Sequence, residues 1–300
     1  MIPVYNCMSY LQQTLQSVLI QAPGPDQMQI EVIDDASTDG DVAGLVAAIG
    51  KGRVQYFRQD RNVGSLRNFE TCLNRSRGQR IHLLHGDDYI QGGYYEAMNR
   101  LFDSYPDIGA AFCRQSHVDE KGYVLGTTPS EANKDGILKN WLFRIAAMQR
   151  IQYCSISVKR NVYEHLGGFF GVTYGEDWEM WIRIAHKYSI AYTPAILATY
   201  RQHPASISGQ SLATGQNLRD LKWVIDTVQH YLPPGSRRQL RTASLKNCAH
   251  GSLGTAHYIW RKARNKQVVE AQIRGSLSLH RDIILYAKIV FLYSRMLLNS

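Results

Sequence analysis

The sequence lacks the features that mark an exported chain. Its first residues, Met1 to Asn6, have neither a basic start nor an apolar stretch long enough for export. Its five cysteines form no Cys-x-x-Cys pair, and their odd number argues against a disulfide framework. We therefore expect a reduced, cytoplasmic setting.

Low-complexity segments and internal repeats are also missing from the 300 residues, and 44% hydrophobic with 20% charged residues is ordinary globular composition. The length predicts one substantial domain with an appendage. The net charge of +9 is uneven, because residues 210 to 300 carry 14 Lys and Arg against 4 Asp and Glu. We expect a main domain over residues 1–209 and a basic, mainly helical extension over 210–300 that can attach to anions such as lipid headgroups.

Short apolar strands alternate with amphipathic helices up to about residue 115, which predicts an α/β fold with a mainly parallel sheet flanked by helices. The predicted strands are residues 2–5, 30–33, 54–57 and 81–84. Pairs of aspartates, Asp34-Asp35 and Asp87-Asp88, directly follow two of them. Ligands of open parallel sheets bind beyond the carboxyl ends of the strands, so both pairs lie where a ligand is expected.

The first pair continues into Ser37, Thr38 and Asp39, residue types that cap helices. We interpret these three residues as the cap of the next helix. Asp34 and Asp35 have two readings, a polar turn or acceptors for the N–H and hydroxyl groups of a nucleoside.

The second pair belongs to His85-Gly86-Asp87-Asp88. Neighbouring carboxylates after a buried strand repel each other unless a cation or a donor compensates them. Mg²⁺ and Mn²⁺ prefer carboxylate oxygens and commonly bridge them to substrate phosphates. A divalent metal site is therefore predicted here, with a solvated Asp-Asp turn as the alternative.

Five segments in this order resemble the motifs of family-2 glycosyltransferases. They are residues 2–6, 34–39, 62–64, 86–88 and 175–177. The resemblance implies a GT-A fold, a nucleotide-sugar donor, a divalent metal, Mg²⁺ or Mn²⁺, and inversion at the anomeric carbon. It also implies a role in bacterial-type polysaccharide or cell-surface glycan synthesis, with a saccharide or lipid-linked acceptor.

Residues of this chain at the positions of the family motifs are implied to contact the donor. The implied nucleotide-sugar contacts are Pro3, Tyr5, Asp35, Arg67 and Asp87. Asp35 would contact the base, Asp87 would lie by the ribose and metal, and Asp88 would bind the metal. For Arg67, a surface arginine is an equal alternative.

Two departures from the family pattern stand out. His85 replaces the first Asp of the metal motif, which leaves the metal to Asp88 with help from Asp87 and water. Most of the usual first strand is missing before Met1, so we expect a truncated or misassigned start.

Gly175-Glu176-Asp177 opens a helix whose inward stripe begins at Asp177. The resemblance makes Asp177 the general base, with Glu176 as its nearest rival. Glu176, Trp178 and Gly168 are predicted on the acceptor side, with the Trp178 ring able to stack on a sugar. The alternative for Asp177 is an acidic residue favoured by the helix dipole in a first turn.

Two further predictions concern the last third of the chain. His203 resembles a residue of the closing loop that reaches the metal or phosphates, although a lone loop histidine is often just solvated. Leu285, Ile289, Leu292 and Met296 form an apolar stripe, too short and too charged to span a bilayer but able to lie on its inner face. Packing within the protein is the alternative for this stripe.

Other functions fit the sequence less well. A sugar nucleotidylyltransferase would need a Gly-rich, Arg-containing loop near the first strand, which is absent. A basic nucleic-acid-binding module would explain the charge, but no nucleic-acid motif is recognisable, so we expect no nucleic-acid partner. An inactive glycosyltransferase-like scaffold remains an alternative, although Asp88 and Asp177 are both present.

Overall fold

The computed structural model describes residues 1–298. It has one parallel and one mixed sheet flanked by helices, with a helical C-terminal region, so the predicted α/β class is confirmed. The strands are β1 (Ile2–Val4), β2 (Glu31–Asp34), β3 (Gln55–Arg58), β4 (Arg80–Ile81), β5 (Tyr89–Ile90), β6 (Ala110–Val118), β7 (Val124–Thr127), β8 (Gly136–Ile137), β9 (Ile156–Lys159) and β10 (Ile190–Arg201). The helices are α1 (Met8–Leu19), α2 (Val42–Gly50), α3 (Ser65–Arg75), α4 (Tyr94–Ser104), α5 (Trp141–Ala147), α6 (Arg160–Leu166), α7 (Glu176–Lys187), α8 (Ile207–Thr214), α9 (Gln216–Thr227), α10 (Arg237–Ala263), α11 (Lys266–Leu279) and α12 (Ile283–Leu298).

The chain divides into two compact units. The first unit comprises Met1–Trp141, Arg150–Phe170 and Arg183–Gln202. The second unit comprises Leu142–Gln149, Gly171–Ile182 and the chain from His203 onward. The functional division between residues 1–209 and 210–300 stays a prediction.

Strands β1, β2 and β3 form a parallel sheet in the first unit, in that order. The amphipathic pattern between β1 and β2 produces α1, whose buried face is Leu11, Thr14, Leu15 and Val18. Leu11, Leu15 and Val18 join the apolar core of the unit with residues of β1 and α4. The core therefore fixes the carboxyl ends of β1 and β2, where the first aspartate pair lies.

Residues 82–86 run alongside β1 although only Arg80–Ile81 is assigned as strand. The Met1 amine donates to the His82 carbonyl at 2.9 Å, and the Leu84 amide donates to the Met1 carbonyl at 3.0 Å. The Gly86 amide then donates to the Pro3 carbonyl at 3.1 Å. This ladder brings the second aspartate pair to the same edge as the end of β1.

The second sheet of the first unit is mixed, with the order β4-β9-β6-β10-β5, while β7 pairs with β6 and β8 with β10. Only β6 and β10 run parallel, and the other pairs are antiparallel. β7 returns onto β6 through a short turn at residues 119–123, which an antiparallel pair allows and a parallel pair does not. The parallel arrangement predicted from the pattern is thus confined to part of the fold.

Ser37 and Asp39, which we interpreted as part of a helix cap, bind a different segment of the chain. Helix α2 is capped by Asp41, which accepts the Gly44 amide at 2.9 Å. Ser37 instead accepts the Asn6 amide at 3.0 Å, and Asp39 accepts the amide of Met8 at 2.9 Å. The capping prediction is corrected, because these side chains bind the loop between β1 and α1.

Helices α8 to α12 belong to the second unit, which confirms the predicted helical character of the chain after residue 210. Their apolar side chains form a separate core that includes Leu218, Leu253, Val269 and Leu292. Among residues 1–298, no helix combines the length and apolarity needed to cross a bilayer.

Candidate active site

Asp34, at the end of β2, is fully buried and clamped by its neighbours. One carboxylate oxygen accepts the Ser37 amide at 2.9 Å, and the other accepts the Tyr56 hydroxyl at 2.7 Å and the Arg58 guanidinium at 2.6 Å. Burial alone would raise its pKa, but these hydrogen bonds and the Arg58 charge outweigh burial and lower the pKa. Asp34 is therefore a structural carboxylate.

Asp35 points to a different loop. Its two oxygens accept the amides of Val63 and Gly64 at 2.7 and 3.0 Å, and burial raises its pKa despite these bonds. Gly64 has a φ of 87°, a backbone conformation that favours glycine. Ala36 also has a positive φ, 59°, which is uncommon for a non-glycine residue and often found at functional sites. The predicted contact of Asp35 with a nucleotide base stays a prediction.

The second aspartate pair forms what we call the strand-end cluster, His85, Asp87 and Asp88. One possible ligand atom from each residue lies within 4.8 Å of the others. Asp88 is 1% exposed, and one of its oxygens accepts the Arg201 amide at 2.8 Å. The Thr14 hydroxyl lies 2.9 Å from the Gly86 carbonyl and 2.6 Å from the Asp88 carbonyl, so α1 anchors the loop.

Close packing restricts the loop further. A Cβ atom at Gly86 would lie 2.7 Å from the Cys7 sulfur and 2.8 Å from a Val4 methyl group. Real Cβ atoms essentially never approach so closely, so any other residue would force Cys7, Val4 or the loop to shift.

The electrostatics of the strand-end cluster favour a cation. Burial, followed by the nearby charge of Asp87, raises the pKa of Asp88 well above its usual range, and Arg201 only partly opposes the shift. Burial also lowers the pKa of His85, whose buried Nε2 makes no hydrogen bond with any described residue. Two carboxylates and a neutral imidazole are a donor set that suits a divalent metal such as Mn²⁺.

Arg201, at the end of β10, is a residue that the sequence reading missed. It is 4% exposed, and its guanidinium donates to the Asp87 carbonyl at 3.0 Å and to Gln13 at 2.7 Å. The guanidinium also lies 4.6 Å from the centre of the Tyr10 ring. Arg201 thus holds both aspartates of the pair, Asp88 through its amide and Asp87 through its side chain. Little in the sequence indicated its role, because the only residue of the same motif with a predicted ligand contact was His203.

Asp177 lies in the first turn of α7, in the second unit, and is buried. One carboxylate oxygen accepts the side-chain amide of Gln149 at 2.7 Å, and the other accepts the Trp178 amide at 2.7 Å. Burial raises the pKa of Asp177 to about 7, although these donors oppose the shift. A carboxyl group with this pKa can exchange a proton near neutral pH.

The acceptor-side residues have different environments. Trp178 is 0% exposed and its indole N–H donates to the Ile145 carbonyl at 2.7 Å. The suggested stacking of this ring on a sugar is therefore corrected, because the ring is interior packing. Glu176 is buried beside Asp177 at the start of α7, and the Gly168 carbonyl accepts the Arg183 guanidinium at 2.8 Å. Their acceptor roles stay predictions.

The remaining predicted contacts, Pro3, Tyr5, Arg67 and His203, lie in different parts of the chain. Pro3 is buried within β1, whereas Tyr5, just after it, is 51% exposed and accessible to a ligand. Arg67 is exposed on α3. His203 is half-buried in the second unit, where its carbonyl accepts the Ser206 hydroxyl at 2.8 Å. Their contacts with a donor or metal are untested by this geometry.

Comparison with known proteins gives a family match over the strand-rich part of the chain. A model described as glycosyl transferase family 2 matches residues 1–165. An uncharacterized protein of Mycobacterium tuberculosis is 26% identical over 75% of this chain and 74% of its own length. An uncharacterized glycosyltransferase of Mycoplasma genitalium is 30% identical, but the match covers 37% of this chain and 38% of that protein.

Solved structures share the fold at low sequence identity. S. aureus TarS 1-349 in complex with UDP-GlcNAc matches with a TM-score of 0.68 and 15% identity, over 92% of this chain and 80% of that one. The mannosyltransferase PcManGT from Pyrobaculum calidifontis, in complex with GDP-Man and Mn²⁺, matches with a TM-score of 0.59 and 15% identity, over 99% and 79%. Both neighbours support the predicted GT-A fold.

Proposed function

The chain belongs to glycosyl transferase family 2, and we propose that it is an inverting enzyme that moves a sugar from a nucleotide diphosphate to an acceptor hydroxyl. The observation that carries this proposal is the strand-end cluster. It places a buried Asp88 with a raised pKa next to Asp87, at the strand ends where ligands of such sheets bind. This arrangement suits the diphosphate of a donor together with a divalent cation.

Asp88, Asp87 and His85 would hold the metal, Mg²⁺ or Mn²⁺, with His203 as a further candidate. When bound, the ion neutralises the diphosphate and helps it to leave. Arg201 keeps the two aspartates in place through its amide and guanidinium bonds. Asp35 and Tyr5, at the ends of β2 and β1, are the proposed nucleoside contacts, with Pro3 and Arg67 as further candidates.

Asp177 is the proposed general base. The acceptor oxygen forms a bond to the anomeric carbon while the bond from that carbon to the diphosphate oxygen breaks, and the acceptor proton moves to the Asp177 carboxylate. The donors Gln149 and Trp178 fix the carboxylate, and a pKa of about 7 leaves a large part of it ionised at neutral pH. Glu176 and Gly168 are the proposed acceptor-side residues.

The donor and acceptor classes follow from the structural neighbours and the family pattern. TarS with UDP-GlcNAc and PcManGT with GDP-Man make UDP and GDP sugars the first donors to test. A saccharide or lipid-linked acceptor, in cell-surface polysaccharide synthesis, fits the same class. Such an acceptor agrees with a cytoplasmic enzyme at the inner face of the membrane.

A donor screen tests the proposal. The wild-type protein is mixed with UDP and GDP sugars in Mn²⁺ or Mg²⁺, and the Tm and the release of nucleotide diphosphate are measured. We expect one donor to raise the Tm only with metal, because selective binding stabilises the native state. EDTA should abolish both the Tm rise and turnover.

The surface variant Asp107→Asn, which changes an exposed carboxylate, is the control and should behave like the wild type. Activity that survives exhaustive chelation would contradict the metal assignment. Donor binding without any turnover, over a range of acceptors, would instead indicate the inactive scaffold.

A further inference from the structure

Helix α12 has two apolar faces, and the stripe predicted from the sequence is the one that packs. Leu285, Ile289, Leu292 and Met296 are at most 7% exposed and belong to the core of the second unit. The stripe that we considered for membrane contact is therefore an internal surface. Its burial holds α12 in place and turns the opposite side of the helix outward.

The outward face is also apolar. Ile283, Val290 and Leu297 follow each other at seven-residue spacing, two turns apart, and are 84%, 68% and 78% exposed. Ile284, Phe291 and Leu298 flank this line and are 53%, 55% and 83% exposed. Single exposed apolar residues are common, but a continuous row along a whole helix marks an interaction surface.

The borders of this outward face carry different residue types. Lys288 and Arg295, seven residues apart, lie along one border, where the Arg295 guanidinium is 5.2 Å from the centre of the Phe291 ring. Tyr286 and Tyr293, also seven residues apart, lie along the other border and are 47% and 40% exposed. Basic residues and tyrosines at the borders of an apolar surface are typical of helices that lie at a membrane interface.

The charge around α12 points to an anionic partner. The helix contains no Asp or Glu, and from residue 210 on the chain carries 14 Lys and Arg against 4 Asp and Glu. Helix α10 adds His257, whose ring lies 5.9 Å from the Phe291 ring. A second copy of this chain would bring Lys288 and Arg295 towards a surface without acidic partners on α12. Phosphate groups of anionic lipids are complementary to this positive charge.

The length of the helix suits a position in the plane of a bilayer. Its 16 residues measure about 24 Å, and a spanning helix needs about 20 apolar residues. We propose that the outward face of α12 (Ile283, Val290 and Leu297 with their neighbours) inserts into the headgroup region of an anionic bilayer, with Lys288 and Arg295 on lipid phosphates.

Vesicle flotation tests this proposal with the full chain and without nucleotide or metal, so its outcome is independent of the proposed transferase activity. Wild-type protein should float with vesicles of phosphatidylglycerol and phosphatidylcholine and bind phosphatidylcholine vesicles more weakly. The triple variant Ile283→Ser, Val290→Ser, Leu297→Ser should lose about tenfold or more in partitioning, since three exposed apolar side chains are removed. Its fold should persist, because these residues lie outside the core.

Matched variants separate the two contributions. Lys288→Gln with Arg295→Gln should lose roughly tenfold on anionic vesicles and little on neutral ones. Ile20→Ser, at a residue 85% exposed at the end of α1, and Lys121→Gln with Lys134→Gln should bind like the wild type.

Three results would overturn the proposal. The first is a wild type that stays with the unbound fraction, and the second is a triple variant that floats as well as the wild type. The third is a concentration-dependent dimer, seen by light scattering, that the triple variant abolishes while no form binds vesicles. That result would assign the outward face to a second copy of the chain.

Discussion

Two clusters of histidine and aspartate have the same residue types and opposite electrostatics. Among residues 1–298 they are the groups whose side chains converge well enough to hold a metal ion. One is the strand-end cluster of the first unit. The other, which we call the helix-cap cluster, lies in the second unit and consists of His250, His280 and Asp282.

The helix-cap cluster is already neutralised by the protein. One oxygen of Asp282 accepts the Leu285 amide at 2.7 Å, at the start of α12. The other lies 3.1 Å from the Lys246 amine, 3.2 Å from His250 and 3.1 Å from His280. The Leu285 amide, followed by Lys246 and the histidines, lowers the pKa of Asp282. A metal would have to displace Lys246.

The strand-end cluster is compensated only in part. Burial and Asp87 raise the pKa of Asp88, and the amide and charge of Arg201 oppose this shift without reversing it. Converging ligand atoms alone therefore do not identify a metal site. The informative difference is how far the protein already balances the carboxylate, and on this difference we propose the strand-end cluster as the metal site.

The sharpest test exchanges one carboxylate in each cluster. Asp88→Asn should abolish measurable transfer and metal-dependent donor binding, because losing a ligand costs more than the roughly 10- to 100-fold typical of its supporting residues. The Tm of this variant should stay the same or rise at neutral pH. The pKa of Asp88 is raised in the folded state. At pH values above the usual Asp pKa, the ionised Asp88 therefore lowers the free energy of unfolding, and the uncharged Asn has no such effect.

Calorimetry with Mn²⁺ and donor, with turnover measured in parallel, checks this expectation. Asp282→Asn is the matched variant and should keep both binding and turnover. Normal turnover by Asp88→Asn, or loss of metal-dependent binding in Asp282→Asn, would contradict the proposal that the strand-end cluster binds the metal.

Asp177 extends the comparison to a second buried carboxyl with a raised pKa. Asp177→Asn keeps the shape of the side chain and removes its basicity, so kcat should fall roughly 10²- to 10⁴-fold while donor binding persists. Glu176→Gln is the neighbouring control and should have a much smaller effect. A large loss in the Glu176 variant alone would move the base to that residue.

The pH profile of the wild type sharpens the same point. The base acts only when ionised, and the pKa of Asp177 is about 7. We therefore expect kcat to rise with pH and level off above about 7, with about a tenfold loss per pH unit on the acid side. Stopped assays between pH 5 and 9 would show this limb. A profile that is flat across pH 7 argues against Asp177.

The smallest expected effect is on the stability of the second unit. Asp282→Asn should lower the Tm by a few degrees, because the carboxylate that binds Lys246 and the Leu285 amide is lost. The pKa of Asp282 is lowered on folding, so its stabilisation is present above about pH 4 and fades as the pH falls further. Thermal melts at pH 7 and pH 3 check this. An unchanged Tm difference at pH 3 would contradict the electrostatic origin.

Patterns along the chain predicted the elements well and the long-range contacts poorly. The family, the enzyme class and the GT-A fold are confirmed, since ordered motifs and strand ends are local signals. The roles of Arg201 and Thr14 were not predicted, because their hydrogen bonds to the 85–88 loop join residues 72 to 114 positions apart. No spacing rule reports such contacts.

Burial was the other property that the sequence left open. Trp178 and the stripe on α12 were visible as apolar positions, but periodicity does not say which face of a helix packs when both faces are apolar. The outward face of α12 became recognisable only when Leu285 and Leu292 were found in the core.

Gly86 illustrates how small a change this loop tolerates. A saturation library at position 86 should retain glycine alone, because even one added methyl group meets Cys7 and Val4 and pushes the loop away from β1. The neighbouring residues that bear the chemistry would move with it. Position 86 has no reactive atom of its own, yet in a screen for function it would be as intolerant of replacement as a catalytic residue.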